Sequence, residues 1–346
     1  MKELYIATNN GDIGGGEVML LNIARAARSL GYKVTIVGPS EPNQLVEAAA
    51  DEGFARVVLP AKNRAQYMLA LRAWHARHKD VLLWCNGLVP AAATGSRKNR
   101  IVHLHQLPAG LNAKLVPFAR RKASVTLVPS RYVEHSCPGS EVFANWVSGV
   151  STALDHSVGD RRLRVGYLGR LTPSKGIATL CSAMSVLNSD EVAYDLVIGG
   201  EPVFASDEER TEVEESLKQV SSFSTRLGWT NPDQLFGSID MLVVPSIAPE
   251  SFGLVVAEAM SARIPVIVSD AGALAEVVGG ESYPYIVSAG QPLDLAAAIR
   301  SLGEELRENS SDLAERTSEL FWRWQENYSP EAGKVRVGEV LERFAR

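Results

Sequence analysis

Residues 240–278 read DMLVVPSIAPESFGLVVAEAMSARIPVIVSDAGALAEVV. The apolar run 241–244 has the length and character of a buried parallel strand. Residues 245–249 hold two prolines and read as a loop. Apolar Leu254, Val255, Ala257, Met260 and Ala262 predict a helix over about 252–262, with Ser251 as its N-cap. Residues 265–269 then predict the next strand. The unit is strand, loop, helix, strand. One carboxylate, Glu250, lies on the loop, and Glu258 lies in the second helical turn.

This arrangement suits a nucleotide-diphosphate sugar. The first turn of a helix offers amides without internal partners and the positive end of the dipole. Gly253 would let a phosphate approach the backbone. Glu258 follows Leu254 by four residues, so it shares a face with that amide and could accept hydrogen bonds from a ribose diol. Glu250 would lie beyond the phosphates, near a sugar hydroxyl. Either glutamate alone reads more readily as a helix-end or solvated-face residue. The combination carries the signal.

Working outward, 346 residues suffice for two domains. The composition, 46% hydrophobic and 22% charged, is that of a globular protein. No apolar run is long enough to span a bilayer. A strand begins at residue 3 with no signal-peptide pattern before it, which predicts a cytoplasmic protein. Cys85, Cys137 and Cys181 match neither a disulfide framework nor a zinc site. Residues 1–150 carry 18 Lys and Arg against 10 Asp and Glu, and residues 151–346 carry 17 against 30. The basic first half could face an anionic acceptor or the cytoplasmic face of an anionic membrane. Arg97, Lys98, Arg100, Lys114, Arg120, Arg121 and Lys122 crowd one part of it.

The first half alternates strands and helices. Strand 4–8 runs into the glycine-rich turn Gly14-Gly15-Gly16 and a helix over 17–30. The turn lacks the dinucleotide spacing, but it stands where an open parallel sheet binds ligands. Further strands are predicted at 34–37, 56–59, 81–85, 101–105, 125–128 and 141–146, with a helix over 111–122. His103 and His105 share a face by strand alternation, and His105 lies nearer the carboxyl end. A polar run at 155–162 reads as the linker. The second half repeats the pattern. Strand 163–168 leads to Gly169-Arg170-Leu171-Thr172-Pro173-Ser174-Lys175-Gly176 and a helix over 177–187. Arg170 and Lys175 could hold a diphosphate, the one as a fork and the other as a point charge. The tail from residue 311 is helical, broken at Ser329-Pro330.

Together these motifs resemble the retaining glycosyltransferases of family 4, which have the GT-B fold. The family's E-x7-E element is similar to Glu250–Glu258, and its G-R-L-x-x-x-K-G element to Gly169, Arg170, Leu171, Lys175 and Gly176. Its glycine-rich first loop and its strand-end histidine correspond to Gly14-Gly15-Gly16-Glu17 and His105. The resemblance implies an α/β chain with two Rossmann-like domains, their parallel sheets facing a deep interdomain cleft. It places an acceptor-side domain at 1–155 and a nucleotide-sugar domain at 156–325. A C-terminal helix over 326–346 would return to the first domain, burying Trp322 or Trp324, or residues beyond Pro330.

The resemblance also implies roles. Arg170 and Lys175 would hold the diphosphate, Glu250 the donor sugar at its 3- or 4-hydroxyl, and His105 the sugar near its 6-position. Gly15, Gly16, Ser251, Phe252, Gly253, Leu254 and Glu258 would complete donor binding, Glu258 through the ribose. Such enzymes retain anomeric configuration by front-face, SNi-like attack, with a UDP- or GDP-sugar donor, no metal and no cofactor. No nucleic-acid partner is expected. The chain departs from the family at Asn145-Trp146-Val147-Ser148-Gly149-Val150, where many relatives read Asn-Gly-Val-Asp. Two other readings are a non-catalytic sugar-nucleotide-binding subunit and another GT-B enzyme, such as a sugar-nucleotide epimerase.

Overall fold

The computed structural model describes residues 2–10, 14–106, 110–150, 161–189, 193–203, 206–308 and 310–344. The chain divides into two compact units, Met1–Trp146 with Pro330–Arg346, and Val147–Ser329. The run expected as a linker, 155–162, lies outside the described residues except for Arg161 and Arg162.

Among the described residues the first unit holds a seven-stranded sheet. Its strands are β1 (Glu3–Ala7), β2 (Lys33–Pro39), β3 (Ala55–Leu59), β4 (Leu82–Asn86), β5 (Arg100–His103), β6 (Val125–Val128) and β7 (Glu141–Val142). They lie in the order β3-β2-β1-β4-β5-β6-β7, every pair parallel. The second unit holds β8 (Leu163–Leu168), β9 (Tyr194–Gly199), β10 (Ser224–Gly228), β11 (Met241–Val244), β12 (Val266–Ser269) and β13 (Ile286–Val287). Their order, β10-β9-β8-β11-β12-β13, repeats that of the first sheet, again all parallel. The central strands are short apolar runs because helices cover both faces. β5, β6, β11 and β12 are buried at every residue.

This order reverses between β1 and β4 in one sheet and between β8 and β11 in the other. In such folds ligands bind outside the carboxyl ends of the strands at the reversal. The residues that follow β1, β4, β8 and β11 are therefore the ones to inspect.

Three local expectations are corrected. The helix expected over 111–122 is a 3-10 turn, Gly110–Leu115, followed by the helix Val116–Arg120. Pro117 lacks an amide proton and fits only a first helical turn, so the α-helix restarts there. The strand expected over 141–146 stops at Val142, and Phe143 and Trp146 turn into the core. β5 ends at His103, so His105 lies just beyond the strand.

The tail forms the helices Ser311–Asn327 and Pro330–Glu342. Residues beyond Pro330, rather than Trp322 or Trp324, belong to the first unit. There Gly333 lies flat on Trp146, where a Cβ would meet the indole at 2.2 Å. The Tyr32 hydroxyl donates to the Leu341 carbonyl at 3.5 Å. Trp324 is buried inside the second unit with its ring edge 3.1 Å from the Cβ position of Gly149, and Trp322 is exposed. Among the described residues no helix is long and apolar enough to cross a membrane.

Candidate functional site

In the second unit the turn after β8 and the loop after β11 are joined backbone to backbone. Gly176 has φ +75° and sits on the Pro245 carbonyl, where a Cβ would lie 1.8 Å from the oxygen. The amides of Ile247 and Ala248 both donate to the Ser174 carbonyl, at 2.9 and 3.0 Å. These contacts bring Lys175 to Glu250. The Lys175 Nζ donates to the Glu250 Oε1 at 2.5 Å, and the Ser246 hydroxyl donates to the same oxygen at 2.6 Å. Ser246 is buried, and the Ser269 hydroxyl donates to its carbonyl. The Glu250 backbone is held too: its amide donates to Ala271 and its carbonyl accepts from Ala273. Gly272, at φ +71°, passes so close that a Cβ would be 2.3 Å from the Glu250 carbonyl oxygen. The glutamate is fixed by four loop contacts before any ligand arrives.

Arg170 is exposed at the start of the same turn, and its carbonyl accepts from the Tyr167 hydroxyl at 2.8 Å. The turn is seated by Gly200, whose φ of +135° allows it to pack on the Gly169 carbonyl.

The helix after this loop runs Leu254–Ser261, and its N-cap is Gly253 at φ +99°, not Ser251. The loop must turn sharply to leave Glu250 beside β12, and only glycine adopts that backbone cheaply. A Cβ there would also meet Leu274 at 2.6 Å. Helix geometry leaves the Leu254 and Val255 amides without intrahelical acceptors. The Phe252 side chain is buried edge-on against Tyr328, so this residue offers its backbone rather than its ring. Glu258 is half-buried one turn into the helix. Burial, and then the nearby Asp233, push its carboxyl up to about 7.

In the first unit the corresponding position is built around glycines, an asparagine and a histidine, with one buried carboxylate, Glu17, tied into the loop. The helix Gly15–Ser29 starts where the loop after β1 ends. Glu17 closes that loop by accepting from the Gly14 amide at 3.2 Å and the Asn10 side chain at 2.9 Å. The His105 ring lies against Gly16, whose Cβ position is 3.2 Å from the ring Cδ2. Its Nε2 is 2.6 Å from the Asn86 Oδ1, and its centroid is 4.1 Å from that of His103. The two imidazoles thus share a face, as strand alternation predicts. Burial pushes His105 down to about 4 and holds His103 well below the usual histidine range, so both are neutral at pH 7.

The structure therefore brings Lys175 and Glu250 together, and separately His105 and Gly16. Gly15 is exposed at the first turn of its helix. Sequence reading missed Ser246, Gly272 and Asn86. Of these only Gly272 carries a signal, in the Asp-Ala-Gly run after β12.

A family model described as glycosyl transferases group 1 matches residues 155–319. A second, described as glycosyltransferase family 4, matches residues 13–137. The chain belongs to the family 4 glycosyltransferases. Among curated members it is similar to the lipopolysaccharide 1,2-N-acetylglucosaminetransferase of Salmonella typhimurium, at 27% identity over 45% of this chain and 42% of that one. It is 34% identical to a glycosyltransferase of Methanocaldococcus jannaschii over 41% of this chain and 36% of that one. The matched region spans about two fifths of the length of these curated relatives. Among solved structures, Anabaena HepE in complex with UDP superposes with a TM-score of 0.83 at 20% identity, over 99% of this chain and 100% of that one. The same protein is also known in complex with UDP-glucose. These neighbours give the family 4 chain its fold, the two-Rossmann-domain GT-B architecture.

Proposed function

We propose that the protein is an enzyme that transfers a sugar, with retention of configuration, from a UDP- or GDP-sugar to an acceptor hydroxyl. The observation that carries this reading is the prebuilt Lys175–Glu250 pair beside the open amino end of the Leu254–Ser261 helix. An ammonium has three donors. One is spent on Glu250, which leaves two for diphosphate oxygens, with the Arg170 fork and the Leu254 and Val255 amides as further donors. Glu250 keeps its second carboxylate oxygen for a sugar hydroxyl. Glu258 accepts from the ribose diol once it is ionised. UDP and UDP-glucose bound to the similarly folded HepE favour a uridine donor.

In the transfer step the acceptor oxygen bonds to the anomeric carbon as the bond from that carbon to the phosphate oxygen breaks. The acceptor proton passes to the departing phosphate on the same face. The charge that develops there meets Arg170, Lys175 and the helix amides, so neither a metal nor a carboxylate nucleophile is required. His105, neutral and buried at its nitrogens, would shape the sugar's surroundings rather than move protons.

The acceptor side is assigned to the basic first unit, with Lys98, Lys114, Arg121 and Lys122 exposed to anionic surfaces. Arg100 leaves this group. It is fully buried, its guanidinium donating to the carbonyls of Ala91, Arg97, Ala119 and Arg121. Binding to anionic vesicles that weakens with salt would support the surface, and equal binding to neutral vesicles would count against it.

The test of the main reading is a melting-temperature screen of UDP-, GDP-, ADP- and TDP-sugars, followed by turnover with the stabilising donor over a panel of acceptors. A ligand specific to the folded state raises the melt. A sugar nucleotide that stabilises the wild type and is turned over supports the proposal. No response to any sugar nucleotide contradicts it.

A further inference from the structure

Asn86 ends β4, next to β1 in the sheet, and is 3% exposed. Its Nδ2 donates to the Gly16 carbonyl at 3.1 Å, and its Oδ1 faces the His105 Nε2 at 2.6 Å. The Gly16 carbonyl can only accept, so the amide must turn its NH2 towards that oxygen. The carboxamide oxygen then necessarily faces the imidazole, and the short contact is a hydrogen bond only if Nε2 carries the proton. A third contact closes the triangle, the His105 ring lying against Gly16.

We propose that Asn86 is a positioning residue: it fixes His105 as the Nε2–H tautomer and locks that ring to the glycine turn that opens the first helix. His105 Nδ1 is consistent with this. It is buried with no hydrogen-bond partner, so a proton there would be an unpaired buried donor and would leave the Nε2 lone pair facing the Asn86 oxygen, while an imidazolium would be a buried charge. Burial of the ring keeps it neutral, with the His103 ring tilted beside it at 4.1 Å between centroids. The arrangement holds Gly16 and the chain at His105 in one register. Only its consequence for sugar transfer rests on the glycosyltransferase reading.

The test is NMR of the full-length protein labelled with 15N and 13C at histidine, with the His105 signals assigned by their loss in His105→Gln. The expected wild-type result at neutral pH is a neutral ring protonated at Nε2. A ring protonated at Nδ1 overturns the proposal without recourse to any other variant. In Asn86→Ala the ring should become a mixture of tautomers. In Asn86→Asp it should stay protonated at Nε2 but titrate at a higher pH than the wild type, because a carboxylate favours the imidazolium. Both variants should melt cooperatively, and in both kcat should fall about tenfold or more, as losing an orienting partner does. An unchanged tautomer in Asn86→Ala, or a changed one with unaltered kcat, overturns the positioning role. The expected tautomers in a protein that transfers no sugar would support the Asn86 assignment and count against the glycosyltransferase reading alone.

Discussion

The two sheets have the same strand order and reverse at the same place, yet their reversal points carry opposite chemistry. Beyond β8 and β11 lie Arg170 and the hydrogen-bonded pair Lys175 and Glu250, on loops fixed by glycines that press backbone on backbone. Past β1 lie Gly16 and Glu17, whose carboxylate accepts from the Asn10 side chain and the Gly14 amide, and at the end of β4 lies Asn86, with His105 neutral against it. One topology thus supplies two frames, which we read as one for gripping an anion and one for shaping the surroundings of an uncharged group. Fold alone says nothing about which is which; the side chains at the strand ends decide it.

The largest way to break this contrast is to remove the charged frame. Lys175→Ala or Glu250→Ala should lower turnover by about 10²–10³-fold, the usual cost of one transition-state donor or its anchor. Full activity in either variant would sink the assignment. Next comes the backbone that carries the pair. Gly176→Ala should destabilise the second unit by about 1–3 kcal/mol, through positive φ and the clash with the Pro245 carbonyl. Urea melts followed separately in the two units should show the loss in the second and leave the first in place.

A smaller effect sharpens the comparison through pH. The Glu258 carboxyl has its folded value raised from the ordinary 4.5 to about 7. The folded chain then holds a proton that the unfolded chain has released, so this residue lowers stability as pH rises from about 4.5 through about 7. Glu258→Gln should therefore raise Tm above pH 7, by about 2–4 °C for each 1 kcal/mol in a unit of this size. Donor affinity should move the other way. If the ribose needs the ionised form, wild-type binding at pH 6 should be about tenfold weaker than at pH 8. The Gln variant should be flat across that range. A flat wild-type profile would remove Glu258 from the ribose.

Much of this was legible in the sequence. The alternation of apolar runs with glycine turns specified both parallel sheets, and the helix Ile177–Leu187 falls where its spacing puts it. Glu250, Glu258, Arg170 and Lys175 stood out through motif spacing. What stayed hidden depends on contacts between distant segments. The Lys175–Glu250 bond joins residues 75 apart and exists only because β8 and β11 are neighbours. Asn86 is a lone asparagine at a strand end, with no spacing to mark it. The helices Leu88–Ala93 and Leu274–Val278 are too short to show a 3.6-residue period. Ser251 looked like the better cap because composition cannot reveal that Gly253 takes positive φ.

The central claim is that the charge which grips the donor diphosphate is concentrated at the second reversal point. Calorimetric titration of UDP into the wild type, Lys175→Gln and Asn86→Ala tests it most directly. Losing a charged hydrogen bond should weaken UDP binding about tenfold or more in Lys175→Gln. Asn86→Ala should bind UDP within about twofold of the wild type, since its role concerns an uncharged surface. Equal losses in both variants, or undiminished binding in Lys175→Gln, would contradict the account.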